Sequence, residues 1–138
     1  IAIPNDPTNE ARALLLLAAQ NIITLRADAG LAATPQDITE NPLKLVFREI
    51  EAATLPRILA DVAAAVINGN YAIPAGLSAS KDGLLVEGKD SPYANVIAVK
   101  QGNENDPRIQ ALLKALQSDK VRAYIIEKYP NGEVVPAF

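Results

Sequence analysis

An arginine stands on a largely apolar face of the first predicted helix. Asn5-Asp6-Pro7 puts a capping side chain before a proline at the first helical position, and the Ala- and Leu-rich run beyond it predicts a helix over residues 7–20. The neighbours of Arg12 on its own helical face are Thr8, Leu15, Leu16 and Ala19. A guanidinium there must snorkel to solvent, pair with an acid, or bind a ligand carboxylate through its two-pronged fork. The residues alone favour a structural role and leave anion binding open.

Two asparagines follow the end of a predicted buried strand. The apolar run Val62–Ile67 leads into Asn68-Gly69-Asn70, a pattern typical of a strand in a parallel sheet. Open α/β sheets collect ligands at the carboxyl ends of their strands, and an amide there can donate and accept hydrogen bonds at once. Turn formation is the alternative, since Asn and Gly tolerate positive φ, and the residues alone favour it.

Asn95 is a polar residue inside a strand predicted over Tyr93–Lys100. Strand alternation puts it on one face with Ile97 and Val99, among apolar neighbours. An unpaired amide buried there would cost about 1–3 kcal/mol, so backbone groups or a ligand must satisfy it. Both explanations stay open on the residues alone.

Composition excludes several kinds of chemistry. The 138 residues contain no Cys and no His, which removes disulfides, thiol and imidazole catalysis and most zinc or copper ligand sets. A net charge of −3 disfavours a nucleic-acid surface, because such surfaces concentrate Lys and Arg. The carboxylates are scattered and no serine has a base at a suitable spacing. We therefore expect no enzymatic activity, no metal, no cofactor and no nucleic-acid partner.

Strand and helix signals alternate along the chain, which predicts an α/β fold with a mostly parallel sheet flanked by helices. After the first helix, the signals predict a short helix from Thr34 to near Pro42, a strand over Lys44–Glu51, a helix over Thr54–Ala60 and the strand that ends at Ile67. A domain boundary is expected near residues 68–76, where the chain becomes rich in Gly and Pro. Two further helices, from Pro107 to near Gln117 and from Ser118 to before Pro130, are predicted to close the chain.

Several segments, taken in order, resemble the methionine-binding lipoproteins of bacterial ABC importers. They are Ile3-Pro-Asn-Asp-Pro-Thr-Asn9, Arg12-Ala-Leu-Leu-Leu-Leu17, Glu40-Asn-Pro42, Leu55-Pro-Arg57, Val66-Ile-Asn-Gly-Asn-Tyr-Ala72, Lys81-Asp-Gly83 and Ser91-Pro-Tyr-Ala-Asn95. Together they cover essentially the whole chain, so the combined pattern is far more specific than any short motif.

The resemblance implies two lobes of the periplasmic-binding-protein type with a ligand cleft between them. Residues 1–68 would form the second lobe, nearly complete, and residues 69–138 the crossover and the C-terminal part of a partial first lobe. Arg12 matches the family arginine that clamps an amino-acid carboxylate. Asn68 and Asn95 match the asparagines that hold the amino and carboxylate groups, and Asn70 and Tyr71 are further candidate ligand contacts.

The function implied by the resemblance is capture of D- or L-methionine and its delivery to an ABC permease in the membrane, by an extracytoplasmic, lipid-anchored protein of the cell envelope. The alternatives are a methionine-containing dipeptide, another apolar amino acid as ligand, or a fragment that binds nothing and dimerises. The chain opens on Ile1 rather than Met, so we expect a C-terminal part of a longer protein. The preceding segment would carry the signal peptide, the anchor Cys and the aromatic side chains for the thioether. Without it, unpaired strand edges would favour a homo-oligomer or a swapped dimer.

Overall fold

The helix predicted near the start of the chain forms as expected in the computed structural model, which describes residues 1–88 and 91–138. Helix α1 spans Pro7–Ala19, and the Asp6 carboxylate caps it by accepting a backbone N–H of the first turn at 3.0 Å. Asn21 ends the helix at φ 56°, and the N–H of Ile22 donates back to the Leu17 carbonyl at 3.0 Å. This Schellman arrangement satisfies a carbonyl that the helix would otherwise leave without a partner.

Two compact units make up the chain, Ile1–Ser78 and Ala79–Phe138. The boundary expected near residues 68–76, and the assignment of residues 1–68 and 69–138 to two lobes of a longer protein, both stay predictions. No helix in the described part of the chain is both long and apolar enough to span a bilayer.

A short parallel sheet organises the first unit. The strands of this unit are β1 (Ala2–Pro4), β2 (Thr24–Leu25), β3 (Ile38–Glu40) and β4 (Arg48–Ile50). Strands β1 and β4 are parallel, with Ala2 opposite Arg48. On the other side of β1, Ala2 forms a parallel bridge with Ala65 and donates its N–H to the Ala64 carbonyl at 3.0 Å. The strand predicted over Val62–Ile67 is thus parallel, as expected, but is reduced to this single bridge.

The core of the first unit lies where α1 packs on the sheet. Ile3 of β1 and Leu14 of α1 are fully buried, and Leu17 is 3% exposed. Ala13, Leu14 and Leu17 recur at helical spacing, so one face of α1 is apolar and turns inward. Full burial of a Leu or Ile side chain stabilises the fold by about 1.5–3 kcal/mol.

The short helix predicted from Thr34 to near Pro42 is wrong beyond its first turn. A 3₁₀ helix covers Pro35–Asp37, and β3 follows at once, antiparallel to β2 with an irregular register. The capping signal itself is real, because the Thr34 N–H donates to the Asp37 carboxylate at 2.8 Å. Two β-branched residues then begin β3, and such residues favour extended backbone over further helix.

Two other predicted elements are shorter or tighter than expected. The strand predicted over Lys44–Glu51 is limited to β4, and Lys44, its first predicted residue, adopts φ 51° instead of extended backbone. The helix predicted over Thr54–Ala60 is a 3₁₀ helix over Ala52–Asp61, with Pro56, which lacks an N–H, inside it. Further short helices of this unit are the 3₁₀ helices Gly30–Ala32 and Ile73–Ala75 and the α-helix α2 over Gly69–Ala72.

The regular secondary structure among the described residues of the second unit is all helical. Helices α3 (Ala79–Asp82), α4 (Pro107–Leu116) and α5 (Asp119–Lys128) form, so the two predicted terminal helices are confirmed. The strand predicted over Tyr93–Lys100 is wrong, since this stretch is irregular and the described residues of the unit contain no strand with which it could pair. In the described chain, the buried hydrophobic residues all lie between Ala2 and Leu55, outside this unit.

Candidate ligand-binding site

Polar side chains gather where the parallel strands of the first unit end. Strand β1 ends at Pro4 and leads directly to Asp6, and the bridge at Ala65 leads to Asn68. Carboxyl ends of parallel strands share one edge of a sheet, which is where open α/β sheets bind ligands. Helix α1 also begins at this edge, so its first turn brings Asn9 into the group. Asn68 therefore lies at the edge where the sequence predicted it.

Three of these side chains form a hydrogen-bonded chain. The Asn9 Nδ2 donates to both carboxylate oxygens of Asp6 at 3.0 Å, and the Asn68 Nδ2 donates to the Asn9 Oδ1 at 2.8 Å. The hydrogen bonds from the Asn9 side chain, and then from its backbone N–H, hold the pKa of Asp6 below its usual value. Asp6 is therefore ionised at neutral pH. Sequence reasoning found Asp6 as a cap but missed Asn9, whose partner lies 59 residues away.

Asn68-Gly69-Asn70 begins a helical turn in which the Asn68 carbonyl accepts the Tyr71 N–H, but it does so without the positive φ that favours Asn and Gly in turns. Asn68 adopts φ −68° and ψ 143°, which is extended backbone, and neither Gly69 nor Asn70 adopts a positive φ. Its side chain makes no capping hydrogen bond to α2 and reaches Asn9 instead. The Asn68 Oδ1 is buried and accepts no hydrogen bond from the part of the chain that the structure describes. An unpaired buried acceptor of this kind costs about 1–3 kcal/mol.

Arg12 lies on the same side of α1 as Asn9. The two residues are three positions apart, which places them on one helical face, and Arg12 is half-buried. A guanidinium has N–H donors in the fork geometry that suits a carboxylate. Binding of a ligand carboxylate by Arg12 stays a prediction.

Glu10 is a buried acid that sequence reasoning missed. It is 8% exposed, and burial, followed by the nearby carboxylates of Glu49 and Asp6, raises its pKa. Its spacing of four and seven residues from Leu14 and Leu17 put it on the apolar face of the predicted helix, a signal that could have found it. No group of acidic side chains among the described residues could hold a metal ion.

The remaining predicted ligand contacts differ in exposure. Tyr71 on α2 is half-buried and donates its backbone N–H to the Asn68 carbonyl at 2.9 Å, while Asn70 is exposed. Asn95 belongs to the second unit and is exposed in an irregular segment, so its predicted place in a strand is wrong. Without a partner strand, nothing turns one face of its segment inward. The ligand roles of these three residues stay predictions.

A cavity lies at the opposite edge of the sheet. Its volume is about 350 Å³. Its lining comprises Ile1, Val46, Arg48, Asp61, Val62 and Ala63. These residues stand at the amino ends of the parallel strands, and none is a predicted site residue. The convergence of Asp6, Asn9 and Asn68 at the carboxyl ends is the better guide to a site, because it combines buried polar atoms with the edge that such sheets use.

Known proteins match this chain over nearly its whole length. The NlpA lipoprotein family matches residues 1–138. Membrane lipoprotein TpN32 of Treponema pallidum is 57% identical over 137 residues, which are 99% of this chain and 51% of that protein. The structure of an ABC transporter periplasmic substrate-binding protein from Coxiella burnetii is 50% identical with a TM-score of 0.82, over 98% of this chain and 56% of that one. The structure of a Burkholderia cenocepacia nutrient-binding protein bound to methionine is 50% identical with a TM-score of 0.82, over 99% and 58% respectively.

These matches define a class and then a family. The predicted fold class, α/β of the periplasmic-binding-protein type, is confirmed by the structural matches. The chain belongs to the NlpA lipoprotein family. The names of these relatives describe lipoproteins and binding proteins, in agreement with the expectation of a protein that is not an enzyme. The chain spans about half the length of the curated relatives that it matches.

Proposed function

We propose that this chain belongs to an extracytoplasmic solute-binding protein and holds the polar end of a methionine molecule, D or L, for delivery to an ABC permease. The observation that carries the proposal is the gathering of Asn68 and the Arg12 face of α1 at the carboxyl ends of the parallel strands, the edge at which open α/β sheets generally bind ligands. The similar Burkholderia cenocepacia protein, whose structure contains methionine, supports the choice of ligand. The similar ABC transporter binding protein supports the choice of partner.

The chemistry of a free amino acid matches these side chains. A zwitterion needs a donor fork for its carboxylate and acceptor oxygens for its ammonium, both shielded from water. Arg12 supplies the fork, and the carboxamide of Asn68 supplies an acceptor. Asn95 completes the proposed polar set from the second unit, with Asn70 and Tyr71 as further contacts.

Transport by such a protein rests on binding and release, with no bond made or broken. A ligand that contacts two lobes stabilises their closed arrangement, and the closed form is then distinguished by its partner in the membrane. The relatives named as lipoproteins support an anchor that keeps the protein at the outer face of the membrane. Two lobes, closure and the lipid anchor are parts of the proposal.

Isothermal titration of the protein at its full native length tests the ligand. We expect saturable heat with L- or D-methionine. Leucine and a methionine-containing dipeptide are the comparison ligands. Heat with one of them but none with methionine would identify the ligand as another apolar amino acid or as a dipeptide. No heat with any of the four would remove the solute-binding role.

The contribution of Asn95 is tested by substitution. Asn95→Ala is expected to weaken methionine binding by about 1 kcal/mol, the typical net contribution of one hydrogen bond. Asn103→Ala, at another exposed asparagine of the second unit, is the matched control and should leave affinity unchanged. Equal effects of the two variants would exclude Asn95 from the site.

A further inference from the structure

Asp6 fixes the direction of the hydrogen bonds that link Asp6, Asn9 and Asn68. An ionised carboxylate accepts hydrogen bonds and donates none. The Asn9 group that faces Asp6 must therefore be its NH₂, which lies 3.0 Å from each carboxylate oxygen. This leaves the Asn9 oxygen on the far side of its carboxamide, pointing away from Asp6.

The same logic passes to Asn68. Since Asn9 presents an oxygen, Asn68 must turn its own NH₂ toward it, and the two atoms are 2.8 Å apart. The Asn68 oxygen is then forced to the opposite side. That oxygen is buried and accepts no hydrogen bond from the described residues. The Asp6 carboxylate thus determines that the oxygen of the Asn68 side chain, and not its NH₂, is the end without a partner among the described residues.

We propose that Asp6 and Asn9 are positioning residues that hold Asn68 with its oxygen toward the bound amino acid, so that this end of the site selects the ligand's ammonium group over its carboxylate. The inference rests on the proposed function, in which Arg12 holds the carboxylate and Asn68 the ammonium, and adds to it the two residues that fix the Asn68 amide in its orientation. A flipped Asn68 would present its NH₂ and favour an anion at the same place.

The charge of Asp6 supports this arrangement. Hydrogen bonds from Asn9 keep the pKa of Asp6 below its usual value, so the carboxylate remains an acceptor at neutral pH. Asp6 also caps α1, so the carboxylate that begins this series of hydrogen bonds is held at the end of a helix. The Asn68 oxygen is buried, so a ligand reaches it only when the side chains that cover it move.

The main test compares two ligands on the protein at its full native length. Asn9→Ala removes the acceptor that holds the Asn68 NH₂. We expect methionine to bind about ten-fold more weakly, the scale of a lost charge-assisted hydrogen bond, while the analogue 4-(methylthio)butanoic acid, which lacks the ammonium, changes by less than about two-fold. Thr8→Ala, an exposed neighbour on the same turn, is the control and should change neither. An equal loss for both ligands would mean that Asn9 acts only on the fold, and would overturn the inference.

A charge-neutral exchange provides a rescue. In the double variant Asp6→Asn with Asn9→Asp, the NH₂ of the new asparagine can donate to the new carboxylate, which still accepts from Asn68. An asparagine also caps helices about as well as an aspartate. We expect methionine affinity within about three-fold of the unmodified protein. Affinity as low as that of Asn9→Ala would contradict the orientation argument.

A measurement without ligand separates this inference from the proposed function. The side-chain NH₂ protons of Asn68, observed by NMR, should be slowed in exchange by the bond to Asn9, and Asn9→Ala should speed that exchange at least about ten-fold. Unchanged exchange would overturn the positioning role whatever the ligand. Slowed exchange together with no methionine heat would reject the proposed substrate while leaving the amide orientation established.

Discussion

The two compact units of the chain differ in where their hydrophobic side chains end up. In the first unit Ile3, Leu14 and Leu55 are fully buried, whereas in the second Leu84 is 88% exposed and Val96 is 85% exposed. Helix α1 has strands against which its apolar face can pack, and the described residues of the second unit contain only helices and irregular segments. Hydrophobic content therefore does not determine burial by itself. A second layer of secondary structure must also be present for the hydrophobic side chains to pack against.

The largest expected effect would break or uphold this comparison directly. Leu14→Ala should lower the free energy of unfolding of the purified chain by about 2–5 kcal/mol, because it empties a fully packed position. Leu112→Ala, at a helix position that is 47% exposed, should stay within about 0.5 kcal/mol. Urea denaturation measures both. Losses of similar size would mean that the second unit has a core as firm as the first.

The next largest effect tests whether Arg12 in the first unit contributes more to ligand binding than Asn95 in the second. Arg12→Ala should weaken methionine binding by about 1.5–3 kcal/mol, the range for hydrogen bonds to charged groups. Arg57→Ala is the matched control, since Arg57 is exposed and its Nη2 donates to the Thr54 hydroxyl at 3.4 Å. Titration calorimetry at full native length gives both values. Unchanged affinity for Arg12→Ala would make Arg12 a structural residue.

Helix capping provides a smaller comparison between the units. Asp6→Ala should lower stability by about 1 kcal/mol at neutral pH, because α1 loses its cap. The pKa of Asp6 is lowered by folding, so this stabilisation is present above the unfolded pKa and disappears as pH falls through the folded value. The variant and the parent should therefore converge in strongly acidic solution.

Denaturation curves of the Asp6 variant at neutral and acidic pH check this sign. Asp106→Ala removes the corresponding cap of α4, whose carboxylate accepts from the Arg108 N–H at 2.8 Å. We expect a smaller change there, because α4, unlike α1, contains no buried residue. A gap that persisted at acidic pH would show that Asp6 stabilises α1 by something other than its charge.

The smallest effect concerns the buried acid. Folding raises the pKa of Glu10, so its charge destabilises the folded state as pH rises through the unfolded value and the penalty is absent below it. Glu10→Gln should raise the free energy of unfolding at neutral pH by at most about 1 kcal/mol and leave it unchanged in acid. The favourable interaction of a negative charge with the start of α1 opposes this gain but is smaller than the burial term. Glu127→Gln on exposed α5 is the control. A loss of stability in Glu10→Gln would mean that the Glu10 charge stabilises the folded state.

Sequence reasoning succeeded where the determinants were local. The start of α1 could be read from Asn5-Asp6-Pro7, and the two terminal helices from similar capping signals, because caps involve residues within one turn. Strands fared worse, since a strand needs a partner whose position a single segment does not reveal. The apolar alternation over Tyr93–Lys100 is a strand pattern in the sequence, but the described structure holds no partner for it in its unit.

The candidate site divides in the same way. Arg12, Asn68 and Asn95 were proposed through the resemblance to a family, whereas composition alone left each with a structural alternative. The link between Asn9 and Asn68 could not be predicted, because it joins side chains 59 positions apart. The burial of Glu10 could have been predicted from helical spacing, because Glu10 lies on the apolar face of α1 that packs against the core.

The place of β1 in its sheet has a consequence for the timing of synthesis. Ala2 bonds to the Ala64 carbonyl on one side, and the N–H of Arg48 donates to the Ile1 carbonyl on the other, so both partners are translated long after it. At about 5–20 residues per second, the ribosome needs on the order of several seconds to deliver them. Helix α1 can form within microseconds of emerging because its bonds are local. Strand β1 is thus among the last elements of the first unit to obtain its hydrogen-bond partners.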